Sequence, residues 1–270
     1  MGHDIGMRYC GIDVSARPSN QQLVTLHPRR GSDGERELVA TFYAPGDVAA
    51  VTRTVLGFGG EAVVAVDAPS GRRLDLLAPG RPLRAQLGLP DGRYERHRVC
   101  DALLFRRSLP LYPVPAAGQA LAQWERWIDV GFELFEALAP MRLFRPDARN
   151  GLEAPVGEGA LRHGRLVETY PDAIFCSLLG HRPSPKRTPW GLQQRIAALK
   201  LRGIVDEDGG LWHRTLDELD AAAAAYAAYS LAQGTGSWVG DPREGVVLLP
   251  VDELLDRYEK LPPPTRQALS

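Results

Sequence analysis

Five acidic side chains stand where a sheet-based fold would bring them together. Asp13, Asp67 and Glu168 each lie at the end of a short apolar run that predicts a β-strand, and Asp217 and Asp220 lie near the start of a long predicted helix. The carboxyl ends of neighbouring parallel strands meet at one edge of a sheet, so we expect the three strand-end carboxylates to converge. The two helix acids are three residues apart and share one helix face. The pattern therefore predicts one carboxylate cluster.

This cluster favours divalent metal chemistry, because carboxylate oxygens are ligands that Mg²⁺ and Mn²⁺ prefer. We expect all five acids to be metal ligands, and Asp13, Asp67, Glu168 and Asp220 to be the catalytic set. Two ions about 4 Å apart can activate water and stabilise the leaving oxygen of a phosphodiester. Asp217 has an alternative role as an exposed first-turn acid that interacts with the helix dipole.

Other kinds of active site lack the residues they need. None of the six histidines forms an HxH or HExxH pair, and the three cysteines lack the CxxC spacing of a zinc site. The glycines of residues 57–60 lack the Lys-Ser/Thr of a P-loop, and Ser70 lacks a GxSxG elbow. The carboxylates are therefore the residues whose types and positions are typical of an active site.

The first seventy residues predict three antiparallel strands, a helix and a fourth strand. Residues 8–14, 22–27 and 37–43 are β-branched or alternating runs separated by Gly- and Ser-containing turns. Residues 47–56 have a capping Asp and valines at helical spacing. The Val/Ala run at 61–67 is typical of a parallel strand that is buried on both faces.

Residues 72–160 predict a mainly helical insertion within a single domain that spans residues 7–270. The insertion is rich in Arg, Pro and Gly around one strong helix at 116–139. The α/β pattern resumes after it, with predicted strands at 165–169 and 245–249 and predicted helices at 173–179, 189–202, 215–232 and 251–260.

Composition limits the class of protein. A chain of 270 residues with 44% hydrophobic content can bury a substantial core. Its net charge of -1 gives no global attraction for a polyanion, so a nucleic-acid partner would need a local basic patch. No apolar run is long enough for a membrane span, and the first residues lack the features of a signal peptide. We therefore expect a cytoplasmic protein with no membrane contact.

An ordered set of short motifs resembles the family called domain of unknown function 429. The motifs are Gly11-Ile-Asp13, Val66-Asp67-Ala-Pro69, Arg98-Val-Cys-Asp101, Glu168-Thr-Tyr-Pro171, Lys186 with Arg195, Leu219-Asp220-Ala-Ala222, and Glu244-Gly-Val-Val followed by Pro250. The resemblance implies a ribonuclease H-like fold, in which three antiparallel strands and then parallel strands form a mixed sheet flanked by helices. It also implies a nuclease-like metal site at Asp13, Asp67, Glu168 and Asp220.

Four further residues of these motifs are candidates for substrate binding. Arg98 and Asp101 match the family's Arg-x-Cys-Asp element, and Lys186 and Arg195 could contact phosphate at the rim of the cleft. The alternative for Arg98 and Asp101 is a structural ion pair. Lys186 and Arg195 could equally be solvated charges beside helices.

The leading hypothesis is a Mg²⁺- or Mn²⁺-dependent nuclease that hydrolyses phosphodiesters of DNA or RNA with metal-activated water. A nucleotide-binding phosphotransferase is an alternative, since the same fold class includes sugar kinases and actin-like ATPases. Those proteins generally need two such domains and glycine-bearing phosphate loops. A third reading is a non-catalytic nucleic-acid-binding module that keeps the acidic cleft.

Overall fold

The computed structural model describes residues 6–31, 34–109, 111, 113–147, 149 and 151–261. Within them the chain forms one mixed sheet of nine strands, in the order β5-β8-β9-β6-β4-β1-β2-β3-β7. The strands are β1 Arg8–Asp13, β2 Gln22–Arg30, β3 Arg36–Phe42, β4 Ala62–Asp67, β5 Glu153–Pro155, β6 Leu166–Thr169, β7 Ile204–Val205, β8 Ser237–Asp241 and β9 Gly245–Leu249.

Helices cover both faces of this sheet. They are α1 Val48–Gly57, α2 Pro82–Gln86, α3 Val99–Arg106, α4 Arg126–Ala137, α5 Pro171–Leu179, α6 Pro189–Leu201 and α7 Leu216–Gln233. Alternate residues of β1 and β4 face opposite sides, so one set packs with α1 and α4 and the other with α7. Among the described residues, no helix has the length and apolar character needed to cross a lipid bilayer.

The central strands confirm the predicted α/β fold with a mixed sheet. Strands β1, β2 and β3 are antiparallel neighbours, and β4 then pairs parallel with β1. Strands β6 and β9 continue the parallel part of the sheet beyond β4. The carboxyl ends of β1, β4 and β6 therefore lie along one edge of the sheet, as the positions of the acidic residues require.

Helix α7 lies directly on β1 at Gly11, where the facing residues of the helix are alanines. A Cβ atom on Gly11 would lie 2.0 Å from the Ala221 carbonyl oxygen and 2.1 Å from the Ala225 nitrogen, so only glycine permits this approach. The alanines of α7 are buried nearly all along the helix. The contact brings α7, near the end of the chain, against the first strand.

The predicted helix over residues 116–139 is wrong in its first part. The helix α4 begins only after a 3-10 turn at Gln123–Glu125. Gly118 has a φ of 80°, which interrupts a helix, and the Gln119 side chain accepts a hydrogen bond from the Ala116 nitrogen to form a turn instead. Helices α2 and α3 were not predicted.

The predicted helix over residues 251–260 is also wrong, because this segment forms turns and extended chain. Tyr258 is buried, and its backbone N–H donates to the Arg107 carbonyl at 3.0 Å. Lys260 forms a β-bridge with Arg182. These long-range contacts replace the local hydrogen bonds of a helix. Three strands were missed as well: β8, which forms a hairpin with β9, and the short edge strands β5 and β7.

The segment 72–160 contains the helices α2, α3 and α4 between longer stretches without regular structure, and it packs on the same sheet as the rest of the chain. Helix α4 contacts α1, α3 contacts β8, and β5 pairs with β8. The division into one domain over 7–270 with an insertion stays a prediction, and residues 262–270 lie outside the described residues.

Candidate functional site

Asp13 and Asp67 are the last residues of two adjacent parallel strands, and they are direct partners in the register of β1 and β4. Paired residues of parallel strands project to the same side of the sheet. Both carboxyl groups are therefore on the α7 side, and they are hydrogen-bonded to each other. Such a bond between two carboxyl groups requires that one of them keeps a proton.

Helix α7 brings two more carboxylates to this edge. Its start is fixed by a capping box in which Thr215 and Glu218 bond to each other's backbone N–H. Asp220 follows on the buried side of the helix, and its Oδ1 has no hydrogen-bond partner among the described residues. Asp217 lines the same cavity as Asp13 and Asp67, and its charge acts on Asp13. These four acids therefore lie near one another, although among the described residues no three of them are found with ligand atoms all within 4.8 Å.

The grouping of these acids raises their pKa values in the metal-free protein. Burial, then the charges of Asp220 and Asp217, raise the pKa of Asp13 to about 7. Burial and the neighbouring Asp13 and Asp220 raise the pKa of Asp67 well above its usual range. Burial raises the pKa of Asp220 to about 6. Burial is the largest cause in each case, so these carboxyl groups keep their protons to a higher pH than exposed carboxyl groups do.

Lys186 is a cation that contacts this group of acids. Its Nζ donates to Asp220 Oδ2 at 2.9 Å. Burial alone lowers the pKa of Lys186, but the Asp220 carboxylate outweighs this effect and the pKa is raised. Lys186 is thus charged at neutral pH. It covers one oxygen of Asp220 and leaves the other unpaired.

Asp13, Asp67 and Asp217 line a cavity of about 320 Å³, which we call the acid cavity, and the charge of the nearby Asp220 acts on Asp13 and Asp67. Its wall includes side chains from the carboxyl edge of the sheet, from α7 and from the segment before α6. The lining residues with polar groups include Asp13, Ser15, Asp67, Glu168, Thr169, Tyr170, Asp172, Lys186 and Asp217. The carboxylate oxygens, including the buried unpaired oxygen of Asp220, form a donor set that fits a hard divalent cation.

Glu168 lies at the same edge, but the structure gives it different partners. Its register partner on β4 is Val66 rather than Asp67, so its side chain leaves the opposite face of the sheet. Arg98 donates to its two oxygens at 2.5 and 2.8 Å. The backbone N–H and the hydroxyl of Ser70 donate to Oε2 at 2.8 and 2.9 Å. The hydrogen bonds found for the Glu168 side chain among the described residues are therefore with Arg98 and Ser70.

Arg98 and Asp101 form the ion pair that was the alternative to a substrate-binding role. Both side chains are about 1% exposed, and Arg98 Nη2 lies 2.9 Å from Asp101 Oδ1. Within the described residues, Cys100, Asp101 and Glu168 are the one trio with potential metal-ligand atoms all within 4.8 Å. Arg98 already supplies a cation to both of these carboxylates.

Arg195 is buried behind the rim instead of projecting into the acid cavity. It donates to the carbonyls of Ser184 and Gly191 and to Asp172 at 2.8 Å. Asp172 was not predicted as a site residue, although it lines the acid cavity. Its position two residues into the helix that follows β6 was the available signal.

Glu244 is a second residue whose role was not predicted. It is buried, and its carboxylate accepts backbone hydrogen bonds from Leu74 at 2.6 Å and from Val99 at 2.9 Å. The second bond holds the first residue of α3, which follows directly after Arg98. Glu244 therefore anchors the segments that carry the Arg98 ion pairs.

Comparison with known proteins adds one match. No curated protein matches the chain, and no solved structure does. A family model with the description "protein of unknown function (DUF429)" matches residues 11–244, a range that begins two residues before Asp13 and extends beyond Asp220. Because this match covers most of the sequence, the chain belongs to the DUF429 family.

Proposed function

We propose that this protein is a metal-dependent nuclease that hydrolyses phosphodiester bonds of nucleic acid. The observation that carries the proposal is that Asp13 and Asp67, from two strands, line one cavity, and that Asp220, from a helix, lies near enough for its charge to act on both. Asp217 would complete the ligand set from the same helix. When bound there, Mg²⁺ or Mn²⁺ would supply Lewis-acid activation of water and stabilisation of the leaving oxygen.

The strand arrangement supports a ribonuclease H-like fold as part of this proposal. The order β3-β2-β1-β4-β6, with β2 antiparallel to both of its neighbours, agrees with the fold that the sequence resemblance implies. In that arrangement Asp13 and Asp67 end adjacent central strands, and α7 lies across them.

Metal loading would release a proton from these carboxyl groups. The pKa values of Asp13 and Asp67 are both raised by burial and by their neighbours, so a divalent ion bound there would displace a proton. Lys186 is partly exposed beside Asp220 and can place its ammonium against a phosphate oxygen of the substrate. It is the one predicted phosphate-binding residue that this proposal retains unchanged.

Arg98 and Glu168 act in this proposal as positioning residues. Glu168 holds both the backbone and the hydroxyl of Ser70, three residues after Asp67. Arg98 in turn fixes Glu168 through two hydrogen bonds. This chain of contacts orients the loop that leaves the strand carrying Asp67.

The test is cleavage of a panel of single-stranded, duplex, branched and RNA–DNA hybrid substrates with Mg²⁺ or Mn²⁺. We expect Asp13→Asn and Asp67→Asn to lower the cleavage rate at least about 100-fold, since loss of even an outer-shell partner costs about 10- to 100-fold. Asp91→Asn is the matched control, because Asp91 is exposed and lies on a loop.

Two results would contradict the proposal. Equal cleavage by the wild type and by both cluster variants would assign the activity to a contaminant or to another site. Binding of nucleic acid without any metal-dependent cleavage would favour the non-catalytic binding module.

A further inference from the structure

A second cavity of about 500 Å³ adjoins the acid cavity. The two share three lining residues, Tyr170, Asp172 and Lys186, so a ligand can extend from one to the other. The second cavity lies between the start of α5 and the segment that leads from α5 to α6. We call it the cationic pocket, and its lining is Leu109, Tyr170, Asp172, Cys176, Arg182, Pro183, Ser184, Pro185, Lys186, Arg195, Lys260 and Leu261.

The charge of this pocket is opposite to that of its neighbour. Four cationic side chains line it, Arg182, Lys186, Arg195 and Lys260, against one carboxylate, Asp172. The whole chain has a net charge of -1, so the excess is local. Asp172 is already paired with Arg195. The remaining positive charge is therefore available to an anion.

Arg182 and Lys260 are the two cations of the pocket for which the described residues provide no carboxylate partner. Across the described ranges, neither side chain forms a salt bridge, while Glu259, next to Lys260, pairs with Arg257. A β-bridge joins the backbones of Arg182 and Lys260, and the Arg182 N–H donates to the Glu259 carbonyl at 2.9 Å. The fold thus holds two like charges side by side.

The rest of the lining suits a flat apolar group. Leu109, Tyr170, Pro183 and Pro185 give the pocket apolar and aromatic surface beside its cations. Its volume is in the range of about 300–1,000 Å³ that small-molecule sites occupy. A ligand with a phosphate beside a flat ring matches these cations and this apolar wall. An unpaired nucleotide has a phosphate and an accessible base, whereas a continuous duplex keeps its bases stacked and inaccessible.

We propose that the cationic pocket binds one unpaired nucleotide next to the phosphodiester that is hydrolysed in the acid cavity, so that the substrate is single-stranded at this point. The proposal rests on the proposed nuclease function for the identity of the neighbouring site. Arg182 and Lys260 bind the phosphate of this nucleotide, and the apolar wall receives its base. Lys186 lies between the two cavities and contacts the phosphate that joins them.

Binding in EDTA tests the pocket without any catalytic step. The probes are a fluorescein-labelled single strand of about 12 nucleotides and the corresponding duplex, titrated with the full chain. The test variant is Arg182→Gln with Lys260→Gln. The matched control is Arg30→Gln with Arg96→Gln, which removes the same charge from two exposed residues for which no salt bridge is found in the described ranges.

We expect the wild type to bind the single strand at least about 10-fold more tightly than the duplex, and the pocket variant to lose about 10-fold in affinity. The slope of log affinity against log salt should become shallower by about 0.7, because the variant loses one phosphate contact and each such contact on a single strand contributes about 0.7. The control should change the affinity for the single strand less than about 2-fold.

Competition with small ligands separates a nucleotide site from a simple anion site. Thymidine monophosphate should displace the single strand, and thymidine or inorganic phosphate should require at least about 10-fold higher concentrations. Equal displacement by phosphate, tighter duplex binding, or equal losses in the pocket and control variants would each overturn the proposal. Unchanged binding by the pocket variant, with cleavage still lost in Asp13→Asn, would refute this pocket and leave the nuclease function standing.

Discussion

Lys186 Nζ lies 2.9 Å from Asp220 Oδ2, and the two groups differ in exposure: the lysine side chain is 40% exposed and the aspartate 4%. The charge of a buried carboxylate is thus neutralised from the solvent side by a partly exposed cation. The other oxygen of Asp220 is buried and unpaired among the described residues. The ammonium and a divalent ion would therefore compete for the same negative charge.

Replacement of Lys186 by Met should make divalent metal bind more tightly. Removal of the ammonium leaves the negative charge of Asp220 to the metal, so we expect the Kd for Mn²⁺ at pH 8 to fall about 3- to 10-fold. Titration followed by the electron paramagnetic resonance of free Mn²⁺ measures this directly. Lys200→Met, on the exposed side of α6, is the control. Weaker Mn²⁺ binding would show that Lys186 orders Asp220 instead of competing.

The stability of the metal-free protein should fall as pH rises. The carboxyl of Asp13 has a pKa of about 7 in the folded chain against 3.8 as its ordinary value, and that of Asp220 about 6. Between pH 4 and 7 the folded state thus binds more protons than the unfolded state, and the free energy of unfolding decreases with pH. Thermal unfolding in EDTA at pH 5 and pH 8 measures this change.

Asp13→Asn isolates the part of this pH dependence that comes from the cluster. At pH 8 the variant lacks the repulsion with Asp67 and Asp220, so we expect a Tm at least about 2 °C above that of the wild type, which corresponds to about 1 kcal/mol. Asp91→Asn should leave the Tm unchanged. A lower Tm for Asp13→Asn at pH 8 would mean that the carboxylate is stabilising as an ion.

Divalent metal should reverse the loss of stability at high pH. Mg²⁺ or Mn²⁺ binds only the folded state, so at 100 times the Kd it adds about 2.7 kcal/mol to the free energy of unfolding. The Tm of the wild type should rise on addition of metal at pH 8 and much less at pH 5, where the ligands are protonated. Asp67→Asn should show little shift at either pH. An equal shift in that variant would place the ion elsewhere.

Arg98→Gln should destabilise the fold far more than it affects metal affinity. The change leaves Asp101 and Glu168 buried without their cation, and breaking a buried pair in this way costs about 3–5 kcal/mol. Urea unfolding measures the loss. Glu168→Gln keeps the shape of the site and should change the Kd for Mn²⁺ less than about 2-fold. A change to a residue that supports a metal ligand would instead weaken binding about 10- to 100-fold. A loss of Mn²⁺ binding in Glu168→Gln would restore Glu168 as a ligand.

Gly11→Ala should separate α7 from β1. The added methyl meets backbone atoms of Ala221 and Ala225, which cannot rotate away, so we expect a loss of at least about 1–3 kcal/mol in the free energy of unfolding and weaker Mn²⁺ binding. Gly57→Ala is the control, because a Cβ there meets nothing within 4 Å and the residue is helical. Equal stability of the two variants would show that the β1–α7 contact is compliant.

The central sheet could be predicted because its strands carry local signals. Apolar and β-branched runs bounded by turn residues defined β1, β2, β3, β4 and β6, and the acids at the ends of β1 and β4 fixed one edge as the site. Asp13, Asp67 and Asp220 followed from this reading. Glu168 also lies at this edge and lines the acid cavity, but its side chain leaves the other face of the sheet, because its register is shifted by one residue relative to Asp67.

The missed elements lack local signals and depend on long-range partners. Strand β8 has the sequence Ser-Trp-Val-Gly-Asp, whose glycine and serine weaken a strand prediction, and it exists because β9 and β5 pair with it. The segment 251–260 has helical composition, but burial of Tyr258 and the bridge to Arg182 dominate. The cationic pocket is assembled from segments far apart in the chain, and no spacing rule predicts it.

The contact of Gly11 with the alanine face of α7 also bears on the choice of ion. No side chain lies between the two backbones at Gly11, so direct backbone packing holds the main chains that carry Asp13 and Asp220 at a fixed separation. Mg²⁺ needs oxygens at about 2.0–2.1 Å, and Ca²⁺ takes them at about 2.3–2.6 Å. Discrimination between ion sizes would thus be a property of helix packing as much as of the ligands themselves.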